Sequence, residues 1–182
     1  MLSSPSLFLF AIIINMQQEE ILDLVNENDE VIGNMPRNEV HAKRLHNYRV
    51  INCFIKNSEG KLWIPRRQKN KRLFPSALDM SVGGHVSSGE TYEEAFIKEA
   101  SEELNIDVTE IPYKILGKLN KQNDGVSAFM TVYEIESNNV PNYNPEDFTE
   151  YYWLTPQEIL ERLDSGDISK EDLPRLLKKF YK

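Results

Sequence analysis

Glu99, Glu102 and Glu103 stand at i, i+3 and i+4 in the stretch Phe96-Ile97-Lys98-Glu99-Ala100-Ser101-Glu102-Glu103-Leu104. On a helix that spacing puts all three carboxylates on one face. Like charges so placed repel by about 0.2–0.5 kcal/mol per exposed pair, and no basic residue follows in that turn to offset them. Two readings are open for such a face. It is simply solvated, or it seats a hard divalent cation, Mg²⁺ or Mn²⁺, which takes carboxylate oxygens together with water and substrate phosphates. The residues in front of the helix decide between the two.

Those residues begin with the glycine turn Gly83-Gly84-His85 and end with Thr91-Tyr92-Glu93-Glu94, a capping box that starts the helix just after Glu90. Asn105 falls where a helix ends in the left-handed conformation. Ile97, Ala100 and Leu104 form the stripe that docks it, and Lys98 is placed to pair with Glu94. Upstream, Ile21–Val25 and Glu30–Gly33 read as a hairpin, and Arg37-Asn38 opens a short helix with Asn38 as cap, running toward Leu45. Tyr48–Lys56 and Lys61–Arg66 read as strands around the turn Asn57-Ser58-Glu59-Gly60, and Asp79–Val82 as a short strand entering the glycines. Tyr113–Leu119 and Ala128–Ile135 are strand-like. Thr155-Pro156 starts a helix to about Leu163, and Glu171–Tyr181 carries Leu173, Leu176, Leu177 and Phe180 at core-facing spacing. Strands mixed with helices in this way predict an α/β sandwich around a mixed sheet.

From Gly84 onward the sequence resembles the Nudix box, with Gly84, Glu90, Lys98-Glu99-Ala100, Glu102-Glu103 and Asn105-Ile106 at the family's spacing. The resemblance implies a Nudix-type α/β/α sandwich and a metal-dependent pyrophosphohydrolase. It implies Glu99, Glu102 and Glu103 as metal ligands and catalytic groups, with Glu90 and Lys98 orienting the loop and Gly84 close to substrate. Two positions depart from the pattern. Lys98 stands for an arginine, which keeps the charge and loses the fork, and Asn105 stands for a glycine.

The wider stretch from Leu45-His46 to Gly83-Gly84-His85 is similar to the branch that includes isopentenyl diphosphate isomerase. His46 and His85 match histidines that bind metal there. The isomerase's cysteine falls on Gly83, however, and its downstream glutamate near Gly125, so the proton-transfer pair is absent. A hydrolase of nucleoside diphosphate-linked or related diphosphates is therefore the leading expectation. An isomerase-like enzyme and a non-catalytic binding module are the rivals. Glu103, Glu146 and Glu150 are the candidate general bases. Arg66 and Arg67, ending a strand beside the glycines, are expected to face substrate phosphates. Lys69, Lys71 and Arg72 are open between a solvated loop and the site. Trp63 is a core residue or a stacking platform, the first being the commoner use of a strand tryptophan. His46 is expected to be structural and His41 exposed.

With 182 residues, 40% of them hydrophobic, the chain is long enough for one real core. A net charge of −8 argues against a nucleic-acid polymer as partner and leaves room for a small diphosphate. The single cysteine, Cys53, lies in the apolar run Val50–Ile55, so it reads as a buried small residue in a reducing, cytoplasmic compartment. Residues 7–14 are apolar yet too short to span a bilayer, and residues 1–15 contain no Lys or Arg. The expectation is an upstream extension over 1–15, a Nudix domain over 16–182 beginning at Met16, and no stable membrane association. A homodimer is left open.

Overall fold

The computed structural model describes residues 19–181, so the expectations for residues 1–15 lie outside the described residues. A two-stranded antiparallel ribbon comes first, β1 (Ile21–Val25) on β2 (Val31–Pro36). Helix α1 (Arg37–Ala42) follows directly. Pro36 holds the cap position and no side chain caps the helix, so Asn38 is not its cap; it lies inside the first turn. Proline's fixed φ and missing N–H suit a helix start, which moves the boundary back.

The main sheet contains β3 (Arg49–Lys56), β4 (Leu62–Arg67), β5 (Val82–His85), β6 (Tyr113–Leu119), β7 (Phe129–Glu136) and β8 (Phe148–Leu154). Its order is β6-β7-β3-β4-β8, with β5 also on β3. The β3–β7 pair is parallel and the others are antiparallel, so the sheet is mixed, as expected. The short strand near the glycines lies later than the sequence pattern placed it. Gly83 and Gly84 are themselves strand residues, opposite Asn52 and Ile51 of β3.

Helix α2 (Tyr92–Leu104) covers one face of the sheet. Phe96, Ala100 and Leu104 pack there against Ile51, Cys53, Ile55 and Tyr133, and the Phe96 and Tyr133 rings stack 4.2 Å apart. Phe96 is the centre of this contact, while Ile97 lies at its edge. On the other face, α4 (Pro156–Asp164) and α5 (Leu173–Phe180) bury Ile159, Leu173, Leu176 and Leu177 against Phe54, Ile64 and Val132. Between β6 and β7 the four-residue turn α3 (Lys121–Asp124) ends at Gly125, whose φ of 73° a side chain would strain. The alternation along β3, Ile51-Cys53-Ile55 to one side and Phe54 to the other, sends successive side chains into the two cores. The result is the α/β/α sandwich. No helix among the described residues is long and apolar enough to cross a membrane.

Candidate active site

The capping box forms as the sequence predicts. Thr91 Oγ1 accepts from Glu94 N at 3.2 Å, and Glu94 accepts in return from Thr91 N at 2.8 Å. At the other end Asn105 takes φ 54°, and the Ile106 amide reaches back to the Ala100 carbonyl at 3.2 Å. Since Glu94 is occupied by the cap, Lys98 pairs elsewhere: its Nζ lies 3.0 and 2.9 Å from the two oxygens of Glu90. That corrects the expected Lys98–Glu94 pair. Glu90 also accepts from the Ser87 amide at 3.0 Å, so the Glu90–Lys98 contact ties the loop to the helix.

The three box glutamates separate. Glu99 and Glu103, one full turn apart, line a cavity of about 830 Å³. Glu102 is exposed on the same turn and is not among the lining residues. Glu103 is 9% exposed and accepts from the Gly83 amide at 3.1 Å. Glu99 lies flat against Gly84, where a Cβ would come within 2.1 Å of its carboxyl carbon. Any larger residue at this position would displace the Glu99 side chain or the strand.

Burial pushes the Glu99 carboxyl up to about 7, with Glu102 and Glu20 adding repulsion and Lys98 and Lys170 opposing it. Glu103 is raised well above the usual carboxylate range, first by burial and then by the charges of Asp79 and Glu99. Two such acids side by side in a cavity are what a hard divalent cation would relieve, so the donor set fits one. Among the described residues, no three His, Cys, Asp or Glu side chains are already gathered as a ready-made metal cluster. Two carboxylates converge, and Glu102 stands outside them.

The arginines also divide, because consecutive strand residues point to opposite faces. Arg67 lines the cavity and donates to Asp79 Oδ2 at 2.7 Å. Arg66 does not line it. Its guanidinium makes a two-pronged pair with Asp167 at 2.9 and 2.8 Å and reaches Glu150 at 2.6 Å. This overturns the expectation that both arginines face the phosphates. Lys71 and Arg72 do line the cavity, as does Arg37, which the sequence pattern did not single out. Lys69 does not.

Neither downstream base candidate reaches the cavity wall. Glu150 is held by Arg66 and by the Tyr152 hydroxyl at 2.5 Å, and Glu146 borders a separate shallow depression. Trp63 is fully buried and stacks on Tyr151, so it cannot serve as a base platform. The exposed aromatic on the cavity wall is instead Phe74, in the loop after β4.

His85 meets His41 rather than His46: the two Nε2 atoms are 3.1 Å apart, and Tyr48 stacks on His85. His41 is thus a cavity residue, contrary to the exposed position expected for it. Burial and the nearby Arg37 hold His85 well below the usual imidazole range. His46 is exposed, with Nδ1 2.8 Å from the Ser127 carbonyl, a structural contact. Cys53 is fully buried, as read from its apolar neighbours.

Comparison with known proteins agrees with this geometry. The NUDIX domain family matches residues 46–175. An uncharacterized Nudix hydrolase, all7351, from a Nostoc species is 51% identical over 91% of this chain and 98% of its own length. A Nudix hydrolase of Deinococcus radiodurans is 48% identical over 90% of this chain and 95% of its own. The crystal structure of DR0079 from D. radiodurans, also 48% identical, superposes with a TM-score of 0.86 over 90% of this chain and all of that one. A MutT protein from Methanosarcina mazei, at 20% identity and a TM-score of 0.58, shares the fold. With the Glu90–Ile106 spacing intact on its loop and helix, Lys98 and Asn105 being the two departures, this chain belongs to the Nudix family as a pyrophosphohydrolase.

Proposed function

We propose that the protein hydrolyses the diphosphate linkage of a nucleoside diphosphate-linked small molecule, with Mg²⁺ or Mn²⁺ held by Glu99, Glu103 and Glu102. The observation that carries this is the polarity of one cavity. Glu99 and Glu103 form an acidic end against Gly83 and Gly84 of β5, and Arg37, Arg67, Lys71, Arg72 and Lys170 stand along the same walls, Arg37 paired with Glu20 and Lys71 with Asp147. An acidic seat for a divalent cation beside fixed positive charge suits a diphosphate, which needs both. Nudix enzymes use divalent metal ions. When bound, such an ion would neutralise phosphate charge and lower the pKa of an attacking water.

The chain's own groups supply the rest. Glu90 and Lys98 hold the loop so that Gly84 stays against Glu99. Of the three base candidates, only Glu103 lines the cavity, so the proton of the attacking water is assigned to it. Water oxygen bonds to one phosphorus, the bridging P–O bond breaks, and the other phosphate leaves with the electron pair. Arg67 meets the leaving charge. Phe74 offers a ring face to a planar base, and the cavity volume is within the range of small-molecule sites, about 300–1,000 Å³.

Gly83 weighs against isomerase chemistry. A Cβ there would lie 3.0 Å from Asn52 Oδ1 and 3.2 Å from Lys170 Nζ, so a thiol there would be tightly placed. The complete set of box glutamates weighs against a non-catalytic module. The deciding experiment incubates the wild type and Glu102→Gln with nucleotide sugars, dinucleoside polyphosphates, nucleoside triphosphates and prenyl diphosphates in Mg²⁺. Phosphate-releasing turnover that Glu102→Gln abolishes supports the reading. Conversion of a prenyl diphosphate without phosphate release sinks it, and phosphate release indifferent to Glu102→Gln removes Glu102 from the metal set.

A further inference from the structure

Asp79 is 1% exposed, and each of its oxygens is committed. Oδ1 accepts from the Met80 amide at 2.8 Å. Oδ2 takes two cations, Arg67 Nη1 at 2.7 Å and Lys170 Nζ at 3.1 Å. One buried negative charge therefore braces two positive ones, and the trio carries a net positive charge. Asp79 itself does not line the cavity, but both cations do. Lys170 arrives there because the segment after α4 runs alongside Leu78. The Leu78 amide donates to the Ile168 carbonyl at 2.8 Å, and the Lys170 amide donates to the Leu78 carbonyl at 2.9 Å.

Both cations keep donors to spare. An ammonium has three N–H groups and one faces Asp79. Arg67 uses Nη1 on Asp79 and Nε on the Leu73 carbonyl at 3.3 Å, which leaves Nη2 over among the described residues. The Lys170 ammonium is also beside β5, 3.2 Å from where a Gly83 Cβ would stand. Gly83 in turn donates its amide to Glu103. Fixed positive charge thus adjoins the acidic end without neutralising it by a direct ion pair: Lys170 is paired with Asp79, not with Glu99 or Glu103.

We propose that Lys170 and Arg67, braced by Asp79, form the seat for a phosphate of the substrate next to the carboxylates, with Lys170 touching the phosphoryl oxygen directly. The seat takes a diphosphate or a terminal phosphate group. It rests on the hydrolase reading only for the identity of the anion. It also gives Gly83 a role: a Cβ there would stand tightly against the Lys170 ammonium, 3.2 Å away.

The test compares wild type, Lys170→Gln and Lys170→Arg by calorimetry in two titrations, methylenediphosphonate with Mg²⁺ present and Mn²⁺ alone. Losing one charge-assisted contact should weaken methylenediphosphonate binding in Lys170→Gln by about 10- to 100-fold. Lys170→Arg should recover most of that affinity, and Mn²⁺ binding should be no weaker in either variant, because a cation near the carboxylates has been removed or kept. Unchanged methylenediphosphonate binding in Lys170→Gln overturns the proposal. So does parallel weakening of both ligands, which would mark Lys170 as a structural partner of Asp79 alone. A wild type that binds methylenediphosphonate at Lys170 yet hydrolyses no diphosphate would leave the seat standing and remove the hydrolase reading.

Discussion

The Gly83 amide donates to Glu103 Oε2 at 3.1 Å, so strand β5 and the last acid of the box are held by one hydrogen bond inside the fold. Glu103 is buried and its carboxyl is held above the ordinary range, chiefly by burial. Keeping a charged carboxylate there costs stability that the metal-free fold must absorb. Glu103→Gln retains the shape and an oxygen to accept the Gly83 amide while removing the charge. The expected outcome has opposite signs: thermal melting without metal rises by a few degrees, while hydrolysis falls at least about a hundredfold. A melting curve and a phosphate-release assay on one preparation check both. A lower melting temperature would refute the account of Glu103 as a destabilising functional acid.

Gly84→Ala tests the contact beside it. The new methyl would lie within 2.1 Å of the Glu99 carboxyl carbon, so either the side chain or the strand must move. Overpacking of this kind costs about 1–3 kcal/mol. A shift near 1 Å in a reacting group costs on the order of a hundredfold in rate. The expected variant is folded by circular dichroism, binds Mn²⁺ more weakly and has kcat/KM lowered by about that factor. Full activity would show that Glu99 has room elsewhere.

These two positions also mark how far the sequence could be read. The helix, its capping box and its left-handed end were legible because each depends on residues three or four apart. The mixed sandwich followed from strand and helix patterns in the same way. What each glutamate faces was not legible. The spacing put Glu99, Glu102 and Glu103 on one face, but only the packing of α2 on β3 and β5 decides that Glu103 is buried and Glu102 exposed. The expectation that Arg66 and Arg67 both face the phosphates neglects the period-2 rule, which sends consecutive strand residues to opposite faces. Lys170 carried no local signal at all. It reaches Gly83 through pairing of distant segments around Leu78, and no short-range pattern encodes that.

Phe74 offers a prediction about substrate. It is 38% exposed, lines the cavity and has φ 52°, with Ser76 at φ 59°. Left-handed backbone at two such residues costs about 1–3 kcal/mol each and persists when neighbours over-determine it. Arg67 Nε holds the Leu73 carbonyl, and Arg66 Nη1 holds the Ser76 carbonyl at 2.9 Å. The ring is therefore presented on a fixed loop. Removing a stacked aromatic costs about 1–3 kcal/mol. Phe74→Ala should raise KM for nucleoside diphosphate compounds about 5- to 100-fold with kcat little changed. KM for a prenyl diphosphate should not move. Equal changes for both substrates would remove the stacking role.

The Arg66–Asp167 pair predicts an acid response distant from the chemistry. Asp167 accepts from both Arg66 prongs and from Arg162 Nε at 2.7 Å. The Arg66 guanidinium, outweighing burial, holds its carboxyl well below the usual range. A depressed folded-state pKa means that the unfolded chain binds the proton more readily. The stabilisation is then complete above the unfolded value near 3.9 and is lost as pH falls through it toward the folded value. Asp167→Asn lacks that charge at every pH. At neutral pH it should be less stable than wild type by about 1.5–3 kcal/mol, the range for hydrogen bonds to charged groups. The gap should narrow as pH is lowered below about 4, since wild type then loses what the variant never had. Urea unfolding of both proteins from neutral to acid pH measures it. A gap that widens on acidification would reverse the sign and show that Asp167 is not held ionised by Arg66.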